Sequence, residues 1–417
     1  MEQTISKENF FTKSIQRIKS KALQIWENKD HLFWYILFLF VVAIVFFFNI
    51  LIHNSLSLPL SGDYSLQQIP FYTNGYDDWW KFLKTGEFPM WDYSTYLGVN
   101  NIGSNTFYYL LNPFFLPILL WPREYIAQGL ATLMIIKMVL AGVTFRAFLK
   151  YVGIKEHTAR LFALAYAFCG WNIYYLWFNH FLEVCVVFPL ILLGIEKVIR
   201  EKRPWVLMAS LALMGLCNYF FLVSSCFCGV VYAVYRYFCH FKEMSKKDKL
   251  LIIPIGVGAF LVGIMIASIT LFPAYAVFTS SSRVEGANFL KTLKNALNAK
   301  DFKKFFQSLL EFDSEKKKYY PLVSFLFPSI SDYSSILFNN KGYDNTLCSI
   351  FIYTPLMMFF VPSVLQTIRK KRVHHLVAIG FFLLTLFTPF FYYLCYGFTL
   401  DYGRWQIFAV ASILVFI

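Results

Sequence analysis

Charged residues are scarce in this sequence, and their scarcity excludes most soluble folds. Asp, Glu, Lys and Arg make up 15% of the 417 residues, whereas 58% are hydrophobic and 20% are aromatic. A soluble domain of this size has no need for 48 Phe and 27 Tyr. Apolar stretches long enough to cross a bilayer recur along the chain, and the mean hydropathy is +0.53. The sequence therefore predicts an all-α polytopic membrane protein.

Several motifs of soluble enzymes are absent. The sequence has no P-loop, GxGxxG or HExxH pattern, so it gives no support to ATP, NAD or zinc-protease chemistry. No CxxC pair occurs among the eight cysteines, and Cys226 and Cys228 are too close in sequence to share a helical face. We interpret the cysteines as small apolar packing residues rather than as disulfide partners or metal ligands.

A cleavable signal peptide is also lacking. Apolar residues from Phe11 to Ile25 recur at helical spacing within a basic segment. This pattern predicts an amphipathic helix over residues 1–30, lying on the cytoplasmic membrane surface. The apolar run 32–52 is too long for a signal peptide and has no small-residue cleavage site, so it is predicted to remain as an anchor. Residues 31–417 then form one multi-pass transmembrane domain.

Basic residues between the apolar runs predict the orientation in the membrane. With the N-terminus in the cytoplasm, the even-numbered connections contain the basic clusters of 146–160, 197–203, 236–249 and 369–372, as the positive-inside rule requires. The net charge of +14 is therefore assigned to topology, and nucleic acid is not a predicted partner. About ten spans are predicted, at 32–52, 124–149, 158–178, 181–199, 205–220, 221–239, 250–278, 346–366, 374–396 and 402–417.

Two loops are predicted on the outer face, at 53–123 and 279–345. The run 107–122 is short and contains three prolines, so we place it in the first loop as an interfacial or re-entrant element. In the second loop, the helical period of 288–312 predicts a helix that lies on the outer leaflet, covers a groove, or is simply solvated. The last apolar run ends without a polar anchor, and we expect the protein to continue beyond it.

The first outer loop combines carboxylates, amides and aromatic rings beside the membrane. Asp63 follows the first span directly, in "SGDYSLQQIPFY". A carboxylate at this boundary can act as a general base that deprotonates an attacking hydroxyl. It can equally be a helix N-cap or a plain solvated acid.

An ordered set of motifs resembles the bacterial YfhO-type membrane protein family. The motifs run from about residue 55 to the end: "GDYSLQQIPFY", "GEFPMWDYSTYLGVNN", "YYLLNPF", "AYAFCGW", "FPLILLGIEKVI", "CNYFF", "LFPAYAVFTSSSR" and "GFTLDYGRWQIF". That family is similar to the GT-C class of integral-membrane glycosyltransferases. The resemblance implies a GT-C-like bundle with outer juxtamembrane helices at about 76–85 and 107–121.

The resemblance also implies an activity and a location. The activity is hexosyl or N-acetylhexosaminyl transfer from undecaprenyl phosphate to an envelope polymer of the teichoic or lipoteichoic acid type. It would take place on the outer face of the bacterial plasma membrane. A separate donor synthase and a flippase would supply the lipid-linked sugar. A divalent metal is left open as a cofactor, because GT-C enzymes differ in this requirement.

Candidate site residues follow from the motif positions and from the chemistry. GT-C enzymes carry a catalytic Asp in the first outer loop, and the matching residue is Asp63. A departing phosphate needs a cation, and the candidates are Arg283 and Arg404. Sugar hydroxyls need polar partners, and the candidates are Gln67, Gln68 and Tyr72. His180 and Glu183 are candidates for binding the acceptor. The alternatives are snorkelling arginines, loop packing and, for the HxxE pair 180–183, a capped turn, a structural hydrogen bond or a metal site. Secondary acidic candidates, with helix capping as the alternative, are Asp77, Asp78 and Asp92.

Two other functions also fit a basic polytopic chain. One is a flippase or transporter of a lipid-linked sugar or polymer, although no internal repeat of the kind common in transporters is evident. The other is a non-catalytic scaffold for envelope assembly. The sequence does not specify the sugar, the acceptor polymer or the oligomeric state.

Overall fold

A computed structural model describes residues 32–60, 62–95, 97–279, 288–311, 324–325, 349–396, 398 and 402–416. The amphipathic helix predicted over 1–30 lies outside these residues. The described chain is mostly helical and contains almost no sheet, which fits the all-α membrane class. Its helices are α1 (Leu32–His53), α2 (Ile69–Thr85), α3 (Asn101–Asn105), α4 (Ile126–Tyr151), α5 (Glu156–Ala167), α6 (Gly170–Tyr174), α7 (Leu182–Glu201), α8 (Trp205–Cys217), α9 (Tyr219–His240), α10 (Lys246–Thr279), α11 (Asn288–Asn298), α12 (Phe302–Leu310), α13 (Thr354–Met357), α14 (Phe360–Arg369), α15 (Val373–Phe387), α16 (Pro389–Cys395) and α17 (Ile407–Phe416).

Short turns and one small hairpin connect these helices. Strands β1 (Trp91–Asp92) and β2 (Val99–Asn100) pair antiparallel, with Trp91 opposite Asn100. A π-helical turn, Tyr64–Gln68, precedes α2 directly. Single 3₁₀ turns occupy Leu116–Leu120, Arg123–Tyr125, Asn179–Phe181 and Gly403–Gln406.

Among the described residues, four helical segments are long and apolar enough to cross a membrane. They are α1, Arg123–Tyr151 (α4 with the turn before it), α9 and α10. The pair α15 and α16 is bent by 85° and counts as a fifth, broken candidate. The prediction of about ten spans is therefore not confirmed.

The remaining predicted spans differ from regular transmembrane helices for identifiable reasons. The predicted span 158–178 ends as a helix at Ala167, resumes only for α6, and then becomes a turn. Helix α7 is long enough but carries several charged residues, and nearly all of its residues are buried among other helices. Helices α8 and α17 are apolar but short.

One face of α1 packs on the bundle and the other faces are apolar and exposed. Tyr35, Leu39, Ala43 and Phe47 recur every four residues and are the buried residues of α1. Phe33, Phe38, Val45 and Phe48 on the remaining surface are each at least half exposed. An exposed apolar surface of this extent fits contact with lipid tails.

Contacts between helices define two ends of the bundle. At what we call the loop end (53–69, 101–126, 179–182 and 218–219), the Tyr64 hydroxyl donates to the Ala127 carbonyl at 3.1 Å. The Asn218 amide there donates to the His180 carbonyl at 3.2 Å. At the basic end (146–160, 196–205 and 236–249), Lys202 pairs with Asp248 at 3.2 Å. Three of the four predicted basic clusters thus share one end, and the acidic loop lies at the other.

Small residues let α8 approach α10 closely. A Cβ placed on Gly215 would lie 2.4 Å from the Cβ of Ala267, and one on Gly263 would lie 2.9 Å from the Cβ of Leu211. The Thr270 hydroxyl donates to the Gly215 carbonyl at 3.0 Å across the same interface. Packing through small residues with an interhelical hydrogen bond is typical of membrane helices.

The predicted loop helices differ in detail from those observed. Helix α2 begins at Ile69, seven residues before the predicted 76–85 segment, whereas 107–121 contains turns and one 3₁₀ segment instead of an α-helix. The predicted helix at 288–312 is two helices, because Lys300 adopts a left-handed conformation with φ 54° and Asp301 caps α12 by accepting from the Lys304 amide.

The two-ended bundle predicts opposite labelling at Leu66 and Lys247. Leu66 is 75% exposed at the loop end, and Lys247 is exposed at the basic end. A membrane-impermeant maleimide should label Leu66→Cys in intact cells and Lys247→Cys only after permeabilisation. The wild-type chain gives the background, since its described cysteines are buried or half-buried. Labelling of both positions in intact cells would contradict the two-ended arrangement.

Candidate functional site

Asp63 stands at the entrance of the π-helical turn that leads into α2. It is partly exposed, and its Oδ1 accepts a hydrogen bond from the Gln67 side-chain amide at 3.2 Å, one turn later. No side-chain cap bond from Asp63 to the helix backbone is present, so the N-cap alternative is not what the geometry supports. π-Helical turns are rare and occur often at functional sites. The turn holds one carboxylate and one amide together at the loop end.

The buried face of this segment repeats every four residues. Tyr64, Gln68, Tyr72 and Tyr76 are all buried, and the tyrosine hydroxyls donate to backbone carbonyls of the loop end. Tyr72 is fully buried, donates to the Tyr108 carbonyl at 3.0 Å, and packs against two aromatic rings. Its only described hydroxyl bond is thus to the backbone, which favours the loop-packing alternative for Tyr72.

Gln68 joins α2 to the turn before α7. Its Oε1 lies 3.3 Å from Nδ1 of His180, which is 112 residues away in the sequence, and both side chains are buried. Burial, together with the positive charges of Lys137 and Arg404, lowers the pKa of His180. The imidazole is therefore neutral at physiological pH and can donate or accept through its second nitrogen.

Glu183 forms a buried ion pair with Lys137. The Lys137 Nζ of α4 lies 2.7 Å from the Glu183 Oε1 of α7, and the side chains are 1% and 0% exposed. Lys137 also donates to the Asn179 side chain and, at 3.0 Å, to its carbonyl. The Asn179 amide in turn donates to the Leu130 carbonyl at 2.8 Å. This network connects α4 with the turn before α7. Glu183 belongs to it, whereas His180 contacts Gln68 instead, so the two residues of the HxxE pair have different partners.

Arg404 lies in an aromatic environment close to His180. Its guanidinium carbon is 4.6 Å from the ring centre of Tyr402, 5.1 Å from that of Phe181 and 5.9 Å from that of Phe178. Its carbonyl accepts from the Trp171 indole at 2.8 Å. Arg283, the other predicted phosphate ligand, lies outside the described residues.

The three secondary carboxylates have structural partners. Asp77 forms a two-point pair with Arg123, at 2.8 and 2.7 Å, on the exposed surface. Asp78 accepts from the Asn101 amide at 2.8 Å, and burial raises its pKa. At Asp92 burial opposes ionisation, but hydrogen bonds from Ser94 and Thr95 outweigh it and lower the pKa.

A metal site is not formed by the residues described. No three side chains of the His, Cys, Asp or Glu type come together in that part of the chain. His180 and Glu183 also bind different partners, so the predicted HxxE pair does not converge on one point. We therefore derive no step that passes through a metal ion.

Several buried polar atoms at or beside the loop end have no hydrogen-bond partner among the described residues. They include the Gln68 amide nitrogen and the His180 Nε2 at the loop end, and the Arg404 Nε beside it. An unpaired buried polar group costs free energy, and such groups in native proteins bind ligands or water. These atoms have unused capacity for hydrogen bonds to a polar ligand or to water, and Asp63 lies five residues before Gln68 on the same segment.

Lys137 belongs to the polar network beside the candidate site and was not among the residues predicted from the sequence. It lies within an apolar run, where an ionisable side chain is rare and has a functional or structural partner. That signal was readable from the sequence, but the identity of its partner was not, because Glu183 is 46 residues away.

The fold and the loop end define a helical membrane protein with a polar site at one end of its bundle. The sequence model of the family described as bacterial membrane protein YfhO matches residues 35–331, more than half of the chain, so the chain belongs to that family. The match begins before residue 55 and excludes the last motif, "GFTLDYGRWQIF". The family is associated with glycosyl modification of the envelope. No curated protein and no solved structure matches the chain significantly.

The buried ion pair predicts a strong stability effect. Lys137→Met should destabilise the protein by about 3–5 kcal/mol, because it leaves the Glu183 carboxylate buried and unpaired. The double variant Lys137→Met with Glu183→Gln should recover much of this loss. Thermal and denaturant unfolding in detergent measure both.

Arg123→Met is the matched control, since it removes a cation from a pair of the same 2.7 Å length on the exposed surface. It should change stability very little. If Lys137→Met and Arg123→Met lowered the free energy of unfolding equally, burial would not determine how much an ion pair contributes to the stability of this protein.

Proposed function

We propose that this protein transfers a sugar from a polyprenyl-phosphate donor to an envelope polymer of the teichoic or lipoteichoic acid type. The reaction takes place on the outer face of the bacterial plasma membrane. The observation that carries the proposal is the loop-end site, in which unpartnered polar atoms of Gln68, His180 and Arg404 accompany a partly exposed Asp63. Membership of a family associated with envelope glycosyl modification supports it.

In the proposed reaction, an acceptor hydroxyl attacks the anomeric carbon of the donor sugar. The new bond joins acceptor oxygen to sugar, the bond from sugar to phosphate breaks, and polyprenyl phosphate leaves. Asp63 takes the proton of the acceptor hydroxyl, since among Asp63, Asp77, Asp78 and Asp92 it has the weakest set of competing partners. Gln67 keeps the carboxylate oriented.

The remaining residues bind and position the two substrates. Arg404, and Arg283 outside the described residues, would bind the phosphate through a planar guanidinium. Gln68 and neutral His180 would hydrogen-bond sugar hydroxyls. Glu183 would act through Lys137 and Asn179 as a positioning residue, and Tyr72 would hold α2 in place.

The outer location follows from charge. The basic end carries three of the four Lys and Arg clusters, and such clusters remain in the cytoplasm. The loop end then faces outward, where nucleotide sugars are absent and a lipid-linked donor is required. A flippase would also use a polar site near a membrane surface, so the assay must measure covalent transfer.

Asp63→Asn should abolish transfer while the protein still inserts and folds. The substitution keeps size and the bond to Gln67 but removes the base, and general-base catalysis contributes roughly 10²–10⁴-fold. We expect a fall of at least about a hundredfold in sugar incorporation by membranes containing the variant.

Asp77→Asn is the matched control, because Asp77 is an exposed carboxylate in the same loop with a structural partner. It should retain nearly normal transfer. A normal rate in Asp63→Asn would refute the assignment of the base, and movement of carrier lipid without transfer would favour the flippase.

The donor can be tested directly. Purified protein should transfer sugar from a polyprenyl-phosphate sugar and not from a nucleotide sugar, because the site lies at the membrane boundary and faces outward. Radiolabelled donors of each type, with the same acceptor, distinguish the two. Direct use of a nucleotide sugar would overturn the proposed donor and location.

A further inference from the structure

Helix α12 packs against the bent pair of α15 and α16, near the loop end of the bundle. Leu309 and Leu310 of α12 line a cavity of about 220 Å³ whose other walls belong to α15 and α16. Tyr396, the residue after α16, packs on Phe220 with 4.4 Å between the ring centres. Phe220 directly follows the loop-end residues 218–219, so α12 lies near the same end of the bundle as the candidate site.

A row of apolar side chains on α12 is exposed. Phe302, Phe306 and Leu310 recur every four residues, which places them on one face of the helix, and they are 62%, 56% and 52% exposed. Leu297 of the preceding helix α11 is also 50% exposed. Large apolar side chains that are exposed together on one face mark a contact with a partner or with lipid.

The same two helices carry five lysines that form no ion pair with another residue that the structure describes. All five are exposed, and they are Lys291, Lys294, Lys300, Lys303 and Lys304. Of the two acids in residues 288–311, Asp301 accepts from the Lys304 backbone amide and Glu311 accepts from the Gln307 side chain at 2.8 Å. Five ammonium groups and two carboxylates leave a formal charge of +3.

A membrane surface accounts for both features of α12, whereas a dissolved polyanion accounts for one. A polymer in water would pair with the lysines but would leave the row of Phe302, Phe306 and Leu310 exposed to solvent. In an interfacial helix the apolar face enters the boundary of the acyl chains, and the lysines on the polar face reach the headgroup phosphates. Lys303 follows Phe302 directly and lies at the edge of the apolar row, where a headgroup would be within its reach.

We propose that α11 and α12 bind anionic phospholipid headgroups of the leaflet at the loop end. Phe302, Phe306 and Leu310 lie among the upper parts of the acyl chains, and the lysines contact the phosphates. The proposal does not rest on the proposed transferase activity, because it uses none of the residues assigned to that reaction.

The test places a photoreactive benzophenone side chain on α12 of the full chain in nanodiscs. The nanodiscs contain phosphatidylglycerol and phosphatidylcholine at a fixed ratio. The probe in place of Phe306 should cross-link to lipid, whereas the probe in place of Gln307, on the polar face, should form little lipid adduct. Equal yields of lipid adduct at the two positions would overturn the proposal, and so would the lack of an adduct at Phe306.

Lys303→Gln tests the charge in the same preparation. With the probe at Phe306, this substitution should lower the ratio of phosphatidylglycerol adduct to phosphatidylcholine adduct roughly five-fold, which corresponds to about 1 kcal/mol for one lysine at a membrane surface. Lys303→Arg keeps the charge and should keep most of the preference.

Lys81→Gln is the matched control, because Lys81 is also an exposed lysine but belongs to α2. Its loss should leave the adduct ratio at Phe306 unchanged. An equal fall in Lys303→Gln and Lys81→Gln would contradict the proposal, since it would reveal only a general effect of net charge.

The same probe in membranes of cells that make the envelope polymer distinguishes the other occupants. A lipid adduct at Phe306 supports the proposal. An adduct with an anionic polymer, or with a second copy of the chain, in place of lipid overturns it. Sugar transfer is not the readout, so either result leaves the test of the transferase independent.

Discussion

The buried pair of Lys137 and Glu183 fixes the position of α7 against α4. Neither charge has access to solvent, so separating the two would leave both without a partner. A second carboxylate on α7, Glu196, is equally buried and is bound by Arg236 and by Arg200. The two carboxylates are 13 residues apart, or about 20 Å along a helix. Helix α7 cannot slide or rotate without separating charged groups at both of its ends, which would cost several kcal/mol at each. The turn 179–181 before α7 is thus held on a rigid frame, as a binding site requires.

Three carboxylates of the acidic loop stabilise its structure, and a fourth is the candidate for chemistry. Asp77 ties α2 to the start of α4 through Arg123, Asp78 holds α3 through Asn101, and Asp92 shapes the turn after β1. These three bonds fold a polar segment tightly beside the membrane. Asp63 does not contribute to these contacts, since its one described partner is Gln67 on its own turn. The structural acids therefore explain why the loop is rich in carboxylates, and they leave Asp63 as the candidate for chemistry.

The sequence predicted those features that depend on local composition. The uninterrupted apolar run of α1 and the shared side of the basic clusters could both be read from neighbouring residues. Helix α7 coincides with the predicted span 181–199, but the partners on α4 and α9 that bind its charged residues could not be read from the sequence. The contact between Gln68 and His180 spans 112 residues, and no local pattern contains it. The break between α5 and α6 was hidden for a similar reason: the residues around it are as apolar as a continuous span, and the Gly170 amide donates to the Phe351 carbonyl from a distant segment.

Helix α1 contacts the bundle along one face only and connects the basic end with the loop end. Its first turn is bound to α5 through the Tyr35 hydroxyl, which donates to the Arg160 carbonyl at 3.0 Å, and Asp63 follows ten residues after its last residue. A helix of 22 residues is about 33 Å long and behaves as a single rod across the membrane. Beyond the helix, the hydroxyl of Tyr64, the residue after Asp63, donates to the Ala127 carbonyl of α4 at 3.1 Å. The segment that carries Asp63 is therefore held on both sides, by α1 before it and by this contact with α4 after it.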